Sequence, residues 1–337
     1  MTEPSTDLPK VTAVVPVYNV EQYVERSLNT ALAQTYPALT VLAVDDGSTD
    51  GSLDVCRRLA ASSPRLQVVS GPNRGVAAAR NRGTELAQTE YVAYLDADDL
   101  WHPDKITRQV EALLRREQGG DWAACYCYYR LIDENDDVIR NGPSFEQRGA
   151  FFAEHLTRNH VGNGSSLLVR RDAALELGGF DSSYVRRGLG GCEDFDFQLK
   201  LLSRYKMELV PEHLVGYRQR GEQMSADHRR MGKAYIAVVE KFSARPGLSP
   251  SLRHQAIVAA RGHAALTCLR GGDFAGFAGL ATANLRTAPL ASLTRAVAFL
   301  GRYGRDKIAA LSRPRMHERA FSRTFSSFDP AQRTSGC

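Results

Sequence analysis

The sequence predicts an α/β fold, a mostly parallel sheet flanked by helices, followed by a C-terminal helical extension. Three observations carry this expectation. Short β-branched or aromatic runs recur through residues 11–95, stretches with helical apolar spacing separate them, and polar, carboxylate-rich loops follow several of the runs. Strands separated by helices at this spacing imply right-handed βαβ units.

Four runs read as buried strands: VTAVVPV (11–17), LTVLAV (39–44), LQVV (66–69) and YVAYL (91–95). Between the first two, Asn19 is expected to cap a helix that carries Val24, Leu28, Ala31 and Leu32 on one face, with Gln22 three residues after the cap. GSLDVCRRLAA and GVAAARNRGTELA fill the next two gaps. A fourth helix follows Pro103, with Ile106, Val110, Leu113 and Leu114 as its apolar stripe. After residue 120 the rhythm changes. WAACYCYYRLI and SSLLVR read as strands, and DENDDVI as a hairpin turn with its return. EDFDFQLKLLSRY (193–205) reads as a helix on Phe197, Leu201 and Leu202, and ELVPEHLVGYR as a returning extended segment. From about residue 226 the pattern is helical, broken at Pro246, Gly271–Gly272 and Pro289, and frayed after about 313.

A chain of 337 residues with 43% apolar and 24% charged residues can bury a full core. Its net charge of +5 is unevenly spread. Residues 230–337 hold 17 Lys/Arg against 5 Asp/Glu, leaving 26 basic and 33 acidic residues in the rest. The body is acidic and the tail basic. The start MTEPSTDLPK lacks the pattern of a signal peptide, and no apolar run approaches the roughly 20 residues that cross a bilayer. Six scattered cysteines without zinc-site spacing are expected to be free thiols, so a cytoplasmic location is expected.

The chemistry concentrates in YVAYLDADDL, where Asp96, Asp98 and Asp99 follow an apolar run. Like charges this close repel by ~1 kcal/mol per pair in water and by several times more near a protein surface. Such a cluster persists if every member faces water or if a cation sits among them. In parallel sheets ligands bind beyond the carboxyl ends of the strands. PVYN, DDGSTD and DADD all fall there, which favours a site over a solvated turn. Neither G-x-G-x-x-G after the first strand nor G-x-x-x-x-G-K-[ST] is present. Nucleotide phosphates would then be held through Mn²⁺ or Mg²⁺, which takes one or two carboxylates plus phosphate oxygens.

Taken together, VVPVYNVEQYVERSLNTALAQTYPALTVLAVDDGSTDGS, NRGVAAARNRG and YLDADDLWHPDKI resemble the family 2 glycosyltransferases of the GT-A (Rossmann-like) fold. The resemblance covers about residues 10–225. It implies an inverting transferase that uses a nucleotide-diphosphate sugar, with a UDP-sugar as the first expectation. Asp46 would bond the base, and Pro16, Val17 and Tyr18 would line its site. Asp96 and Asp98 would form the D-x-D motif, reaching sugar and metal respectively, with Asp99 as competitor for the metal. Arg80 would lie near the nucleotide, or else form a salt bridge on the helix surface. GNGSSLLVRRDAALELGGFDSSY and GCEDFDFQLKL extend the resemblance. They imply an acceptor side at Gly164, Ser165 and Glu193, and Asp194 as the catalytic base. Read without the resemblance, Glu193, Asp194 and Asp196 are acidic residues that suit a helix start.

YRQRGEQMS departs from the family, which often has histidine where Arg220 stands. Arginine does not ligate metal but pairs with a diphosphate, and His228 is a substitute ligand by sequence proximity. The implied organisation is a catalytic domain over 1–225, with a nucleotide half at about 10–118 and an acceptor half at about 119–225, then a basic extension over 226–337. That extension fits a helical cap over the catalytic domain. The alternative is peripheral attachment to the anionic inner face of the plasma membrane, where a lipid-linked acceptor would reside. A glycan, a peptide or a small natural product is also open as acceptor. Two other functions stay open, a nucleotidyltransferase of related fold and a non-catalytic module that binds sugar nucleotides or glycans.

Overall fold

The computed structural model describes residues 8–116, 121–220 and 227–289. The chain begins β1 (Val11–Val17), α1 (Glu21–Leu32), β2 (Leu39–Asp45), α2 (Ser52–Ser62), β3 (Leu66–Ser70), α3 (Val76–Leu86) and β4 (Tyr91–Tyr94). A two-residue strand, β5 (Leu100–Trp101), and α4 (Lys105–Leu114) follow. Then come β6 (Trp122–Ile132), β7 (Val138–Asn141), α5 (Phe152–Thr157), β8 (Leu168–Arg170), α6 (Arg171–Glu176), α7 (Ser183–Arg186), α8 (Glu193–Leu202) and β9 (Lys206–Arg218). Helices α9 (His228–Ser243), α10 (Pro250–Arg270) and α11 (Phe274–Thr287) close the described chain.

One sheet of order β3-β2-β1-β4-β8-β6-β9-β5 spans the molecule, with β7 paired to β6. The strands β3, β2, β1 and β4 are parallel, as βαβ units require. Strand β8 lies antiparallel between β4 and β6, which makes the sheet mixed. Both faces are covered, so alternate residues of one strand enter different cores. Val11, Ala13, Val15 and Val17 pack with Leu28, Ile106 and Val110 on one face, while Val14 joins Tyr94, Phe180 and Phe197 on the other. This is why the parallel strands read as continuous apolar runs rather than alternating ones. Helix α3 lies close on β1 because Gly83 has no side chain: a Cβ there would come within 2.3 Å of Val14 Cγ1.

Asn19 does not cap α1. It has φ of +49°, the cap position is Val20, and the Asn19 side chain accepts from Thr49 N at 2.8 Å. Asparagine tolerates the left-handed region, so the residue turns the loop between β1 and α1 instead of closing the helix. The five described cysteines are buried free thiols.

The C-terminal helices are packed onto the rest of the molecule by a third core. Leu156, Tyr184, Phe195 and Leu199 meet Tyr235, Val238, Val239, Phe242 and Ala260 there, and the rings of Phe195 and Tyr235 stack at 4.7 Å. Lys241 Nζ adds ion pairs with Asp196 at 2.5 Å and Asp181 at 2.9 Å. No described helix is long and apolar enough to cross a membrane. The basic residues beyond 289, including the stretch expected to fray after 313, lie outside the described residues.

Candidate active site

The ends of β1, β2 and β4 open into a cleft of about 640 Å³. One side is lined by Pro16, Val17, Tyr18 and Asp46, the floor by Arg80, Asp96 and Asp98, and the far side by Asn163, Glu193, Asp194, Tyr217, Arg220 and Arg230. A second hollow of about 550 Å³, by Pro9, Tyr91 and Arg170, sits at the opposite ends of β1 and β4. Its Arg116 and Arg170 are already paired with Glu208 and Asp172.

Side chains tie the loops of the Asp46 side together. Asp46 is buried, and its two carboxylate oxygens accept from the backbone N–H groups of Arg74 (2.9 Å) and Gly75 (2.8 Å). Asp45 accepts from Ser48 N at 3.1 Å and from the Ser70 hydroxyl at 2.6 Å. Gly75 has φ of +90°, a conformation that side chains rarely adopt, and it leads into α3. That helix brings Arg80 under the floor. Arg80 is 5% exposed, forms an ion pair with Asp96, and packs over the Phe180 ring at 5.1 Å. The guanidinium is therefore buried rather than on the helix surface.

Along DADD the three carboxylates part company. Asp96 meets Arg80, and Asp98 accepts from Arg220 Nε at 2.8 Å while lining the cleft. Asp99, expected to compete for the metal, is fully buried and faces away from the cleft. Its oxygens are engaged by the Ser165 hydroxyl (2.6 Å) and Arg218 N (2.9 Å). Three carboxylates close together leave the loop short of positive charge. Burial and then the neighbouring aspartates push Asp99 well above the usual carboxylate range. Asp98 is also pushed up, by burial first and by Asp96, against the pull of Arg220.

Ser165 and Gly164, expected on the acceptor side, support the floor instead. The Ser165 hydroxyl accepts from Asp96 N at 3.0 Å and its carbonyl from Trp101 Nε1 at 2.9 Å, so it locks DADD from beneath. Gly164 backs onto Arg80, whose Nη2 would lie 3.2 Å from an added Cβ. Their neighbour Asn163 lines the cleft. Arg218 is a residue that sequence reading passed over. Its guanidinium donates to the carbonyls of Asp98 (2.7 Å) and Asp133 (2.6 Å) and to Asp136 Oδ1 (2.5 Å), and rests on Tyr23 at 4.8 Å. Residues two apart on a strand share a face, and both guanidiniums rest on Tyr23, at 4.8 and 5.5 Å; Arg218, the last residue of β9, is buried, and Arg220 beyond the strand end joins the cleft.

The start of α8 separates three acidic neighbours. Asp194 lines the cleft, and its Oδ1 accepts from Phe195 N at 2.7 Å. Burial pushes its carboxyl up to about 7, with Glu193 and Asp96 adding to the rise and Arg80 opposing it. Glu193 is buried beside it. One oxygen accepts from Gly191 N at 2.8 Å, and the other has no partner. Asp196 points out of the cleft to Tyr184 Oη (2.9 Å) and Lys241. His228 is far from any ligand role: its side chain packs on Gly271 at the turn after α10, and it does not line the cleft. Among the described residues no cluster of three or more His, Cys, Asp and Glu is arranged to hold a metal ion. Of the three DADD carboxylates, Asp96 and Asp98 line the cleft, each with an arginine beside it.

Residues 12–177 match the family model described as Glycosyl transferase family 2. Asp194, Arg220 and Arg230 lie beyond the matched stretch. Chondroitin synthase of Pasteurella multocida is 33% identical over 150 residues, which are 44% of this chain and 15% of that protein. The chain spans less than half the length of the curated relatives it matches, between 15% and 49% of each. Among solved structures, S. aureus TarS in complex with UDP-GlcNAc gives a TM-score of 0.61 at 15% identity, covering 84% of this chain and 82% of that one. The mannosyltransferase PcManGT from Pyrobaculum calidifontis, in complex with GDP-Man and Mn²⁺, gives 0.56 at 23% identity, covering 88% and 82%. At such identities the likeness shows a common fold.

Proposed function

We propose, from the premise that this chain is a family 2 glycosyltransferase of the GT-A fold, that it moves a sugar from a nucleotide-diphosphate sugar to an acceptor hydroxyl with inversion at the anomeric carbon. The observation that carries the reading is a meeting in one cleft. Asp194, with its proton affinity raised to about 7, shares it with two arginine–carboxylate pairs, Arg80–Asp96 and Arg220–Asp98.

On this reading Pro16, Val17 and Tyr18 line the base site. Asp46 receives a base N–H on a lone pair left over from its two backbone bonds. Asp96, held by Arg80, takes sugar and ribose hydroxyls. The residues fit a divalent cation of the hard type, which needs one or two carboxylates and completes its shell with phosphate oxygens and water. Asp98 would hold it, and Asp99 drops out because both its oxygens are committed inside the fold. When bound, Mn²⁺ or Mg²⁺ would offset the negative charge growing on the leaving diphosphate. Arg220 exchanges Asp98 for the diphosphate, a pairing its planar fork suits.

Asp194 takes the acceptor's O–H proton as that oxygen attacks the anomeric carbon. The bond from this carbon to the diphosphate oxygen breaks, and its electron pair leaves with the nucleoside diphosphate. A base with a pKa near the working pH is well matched to this task. Turnover of UDP-, GDP- and dTDP-sugars, with and without Mn²⁺, tests the proposal, with a UDP-sugar expected to serve as donor. A chain that binds no nucleoside diphosphate and cleaves no sugar nucleotide would refute it.

A further inference from the structure

The first turn of α9, in the extension that the sequence motifs do not reach, sends one side chain into the cleft. Arg230 is fixed there at both ends. Asp227 accepts its backbone N–H at 3.0 Å, and its guanidinium lies against Gly190, where an added Cβ would sit 2.5 Å from Nη2 and 3.1 Å from Cζ. Any side chain at 190 would displace it. The loop it lies on runs directly into Glu193 and Asp194.

The charges in the cleft make Arg230 distinctive. Arg80 has Asp96 and Arg220 has Asp98, but among the described residues Arg230 has no carboxylate within ion-pair distance. Its buried Nε donates to nothing. Glu193 and Asn163 line the same side with side chains that accept from and donate to hydroxyl groups. A guanidinium on the cleft wall with no carboxylate beside it is a place for a ligand that carries a negative charge. That ligand brings an anion for the guanidinium, and hydroxyl groups that both donate and accept for Glu193 and Asn163.

We infer that Arg230 is a specificity-determining residue that selects an acceptor bearing a carboxylate or phosphate next to its hydroxyl groups. The inference rests on the transferase reading and deepens it. The anion belongs to the acceptor because the Arg230 guanidinium packs against Gly190, in the loop that leads to Asp194, the residue that must touch the acceptor's hydroxyl. The diphosphate of the donor supplies the same chemistry, and the experiment separates the two.

The full chain is studied by saturation-transfer NMR with methyl β-glucuronide and glycerol 3-phosphate against their neutral counterparts, methyl β-glucoside and glycerol. Affinity for UDP and GDP with Mn²⁺ is measured in parallel by calorimetry. A hydrogen bond to a charged group in a partly desolvated site separates ligands by roughly 10- to 100-fold. The charged probes should bind tighter than the neutral ones by about that factor. Arg230→Gln should erase the preference and leave nucleotide affinity within about 2-fold, and Arg230→Lys should restore it in part, since the charge stays and the fork is lost. Melting curves establish that both variants fold. Equal binding of charged and neutral probes by the unsubstituted chain overturns the inference. So does an Arg230→Gln variant that loses nucleotide affinity, which would give Arg230 to the donor. The probes are also run without nucleotide, so a chain that bound no nucleoside diphosphate would sink the transferase reading while the preference of Arg230 was still read.

Discussion

Replacing Asp194 by Asn removes a proton acceptor while keeping the shape, and the structure sets opposite signs for two explanations of this residue. Its folded pKa is raised from 3.8 to about 7, mainly by burial at the base of the cleft. The folded protein therefore binds more protons than the unfolded chain between about pH 4 and pH 7, and stability falls as pH rises through that window. A shift of this size corresponds to at most about 4 kcal/mol at pH 8, and contact with water in the cleft reduces it to ~1–4 kcal/mol. Asp194→Asn should then melt higher than the unsubstituted protein at pH 8, with the difference disappearing near pH 4. Asn Oδ1 can still accept from Phe195 N, so the local bond survives. If Asp194 served only the helix start, the same change would lose a dipole contribution of ~0.3–1 kcal/mol and lower the melting point. The rate of transfer should fall by ~10²–10⁴, the usual contribution of a positioned base. In the unsubstituted enzyme it should rise with pH through about 7 as Asp194 loses its proton. Melting curves at pH 4 and 8 and a pH–rate profile on the same two proteins form the assay. A variant that is fully active, or that melts lower at pH 8, would refute the reasoning and move suspicion to Glu193.

Asp98→Asn should weaken nucleoside diphosphate binding in the presence of Mn²⁺, read by calorimetry, while binding without metal changes much less. An unaltered metal response would remove Asp98 from the metal. Asp99→Asn should lower the melting point by the equivalent of ~1–3 kcal/mol, because a buried acceptor for Ser165 or Arg218 N is lost, with metal affinity retained. Unchanged melting with lost Mn²⁺ response would return Asp99 to the metal site. Lys241→Met strands the buried Asp196 carboxylate and should destabilise by ~1–3 kcal/mol, less than a fully buried pair because Lys241 is half-buried and Lys200 and Tyr184 remain as partners. Adding Asp196→Asn should recover most of that loss in a chemical denaturation series. Failure to recover would mean the ion pair does not hold α9 to α8.

The alternation of strand and helix over residues 11–114 and the carboxylates at the strand ends were legible in the sequence, because those signals are local. Apolar runs bounded by turns follow from the period of a strand, and an Asp after such a run must lie beyond the end of the sheet. Tertiary structure alone decided the sheet order past β4. Strand β8 enters antiparallel between β4 and β6, and the two residues of β5 exist as a strand only because β9 lies beside them. It also decided which of several adjacent acidic residues faces the cleft. Asp98 and Asp99 are neighbours on one turn, yet Ser165 and Arg218, distant in sequence, draw Asp99 into the interior. Glu193, Asp194 and Asp196 share one helical turn, and Lys241 and Tyr184 claim only the last. Arg230 belongs to the same class, placed at the cleft by the packing of α9 on α8 and by the absence of a side chain at Gly190. Periodicity records what a residue's own segment requires. The partner that neutralises a charge or fills a gap comes from another segment, and only packing brings it there.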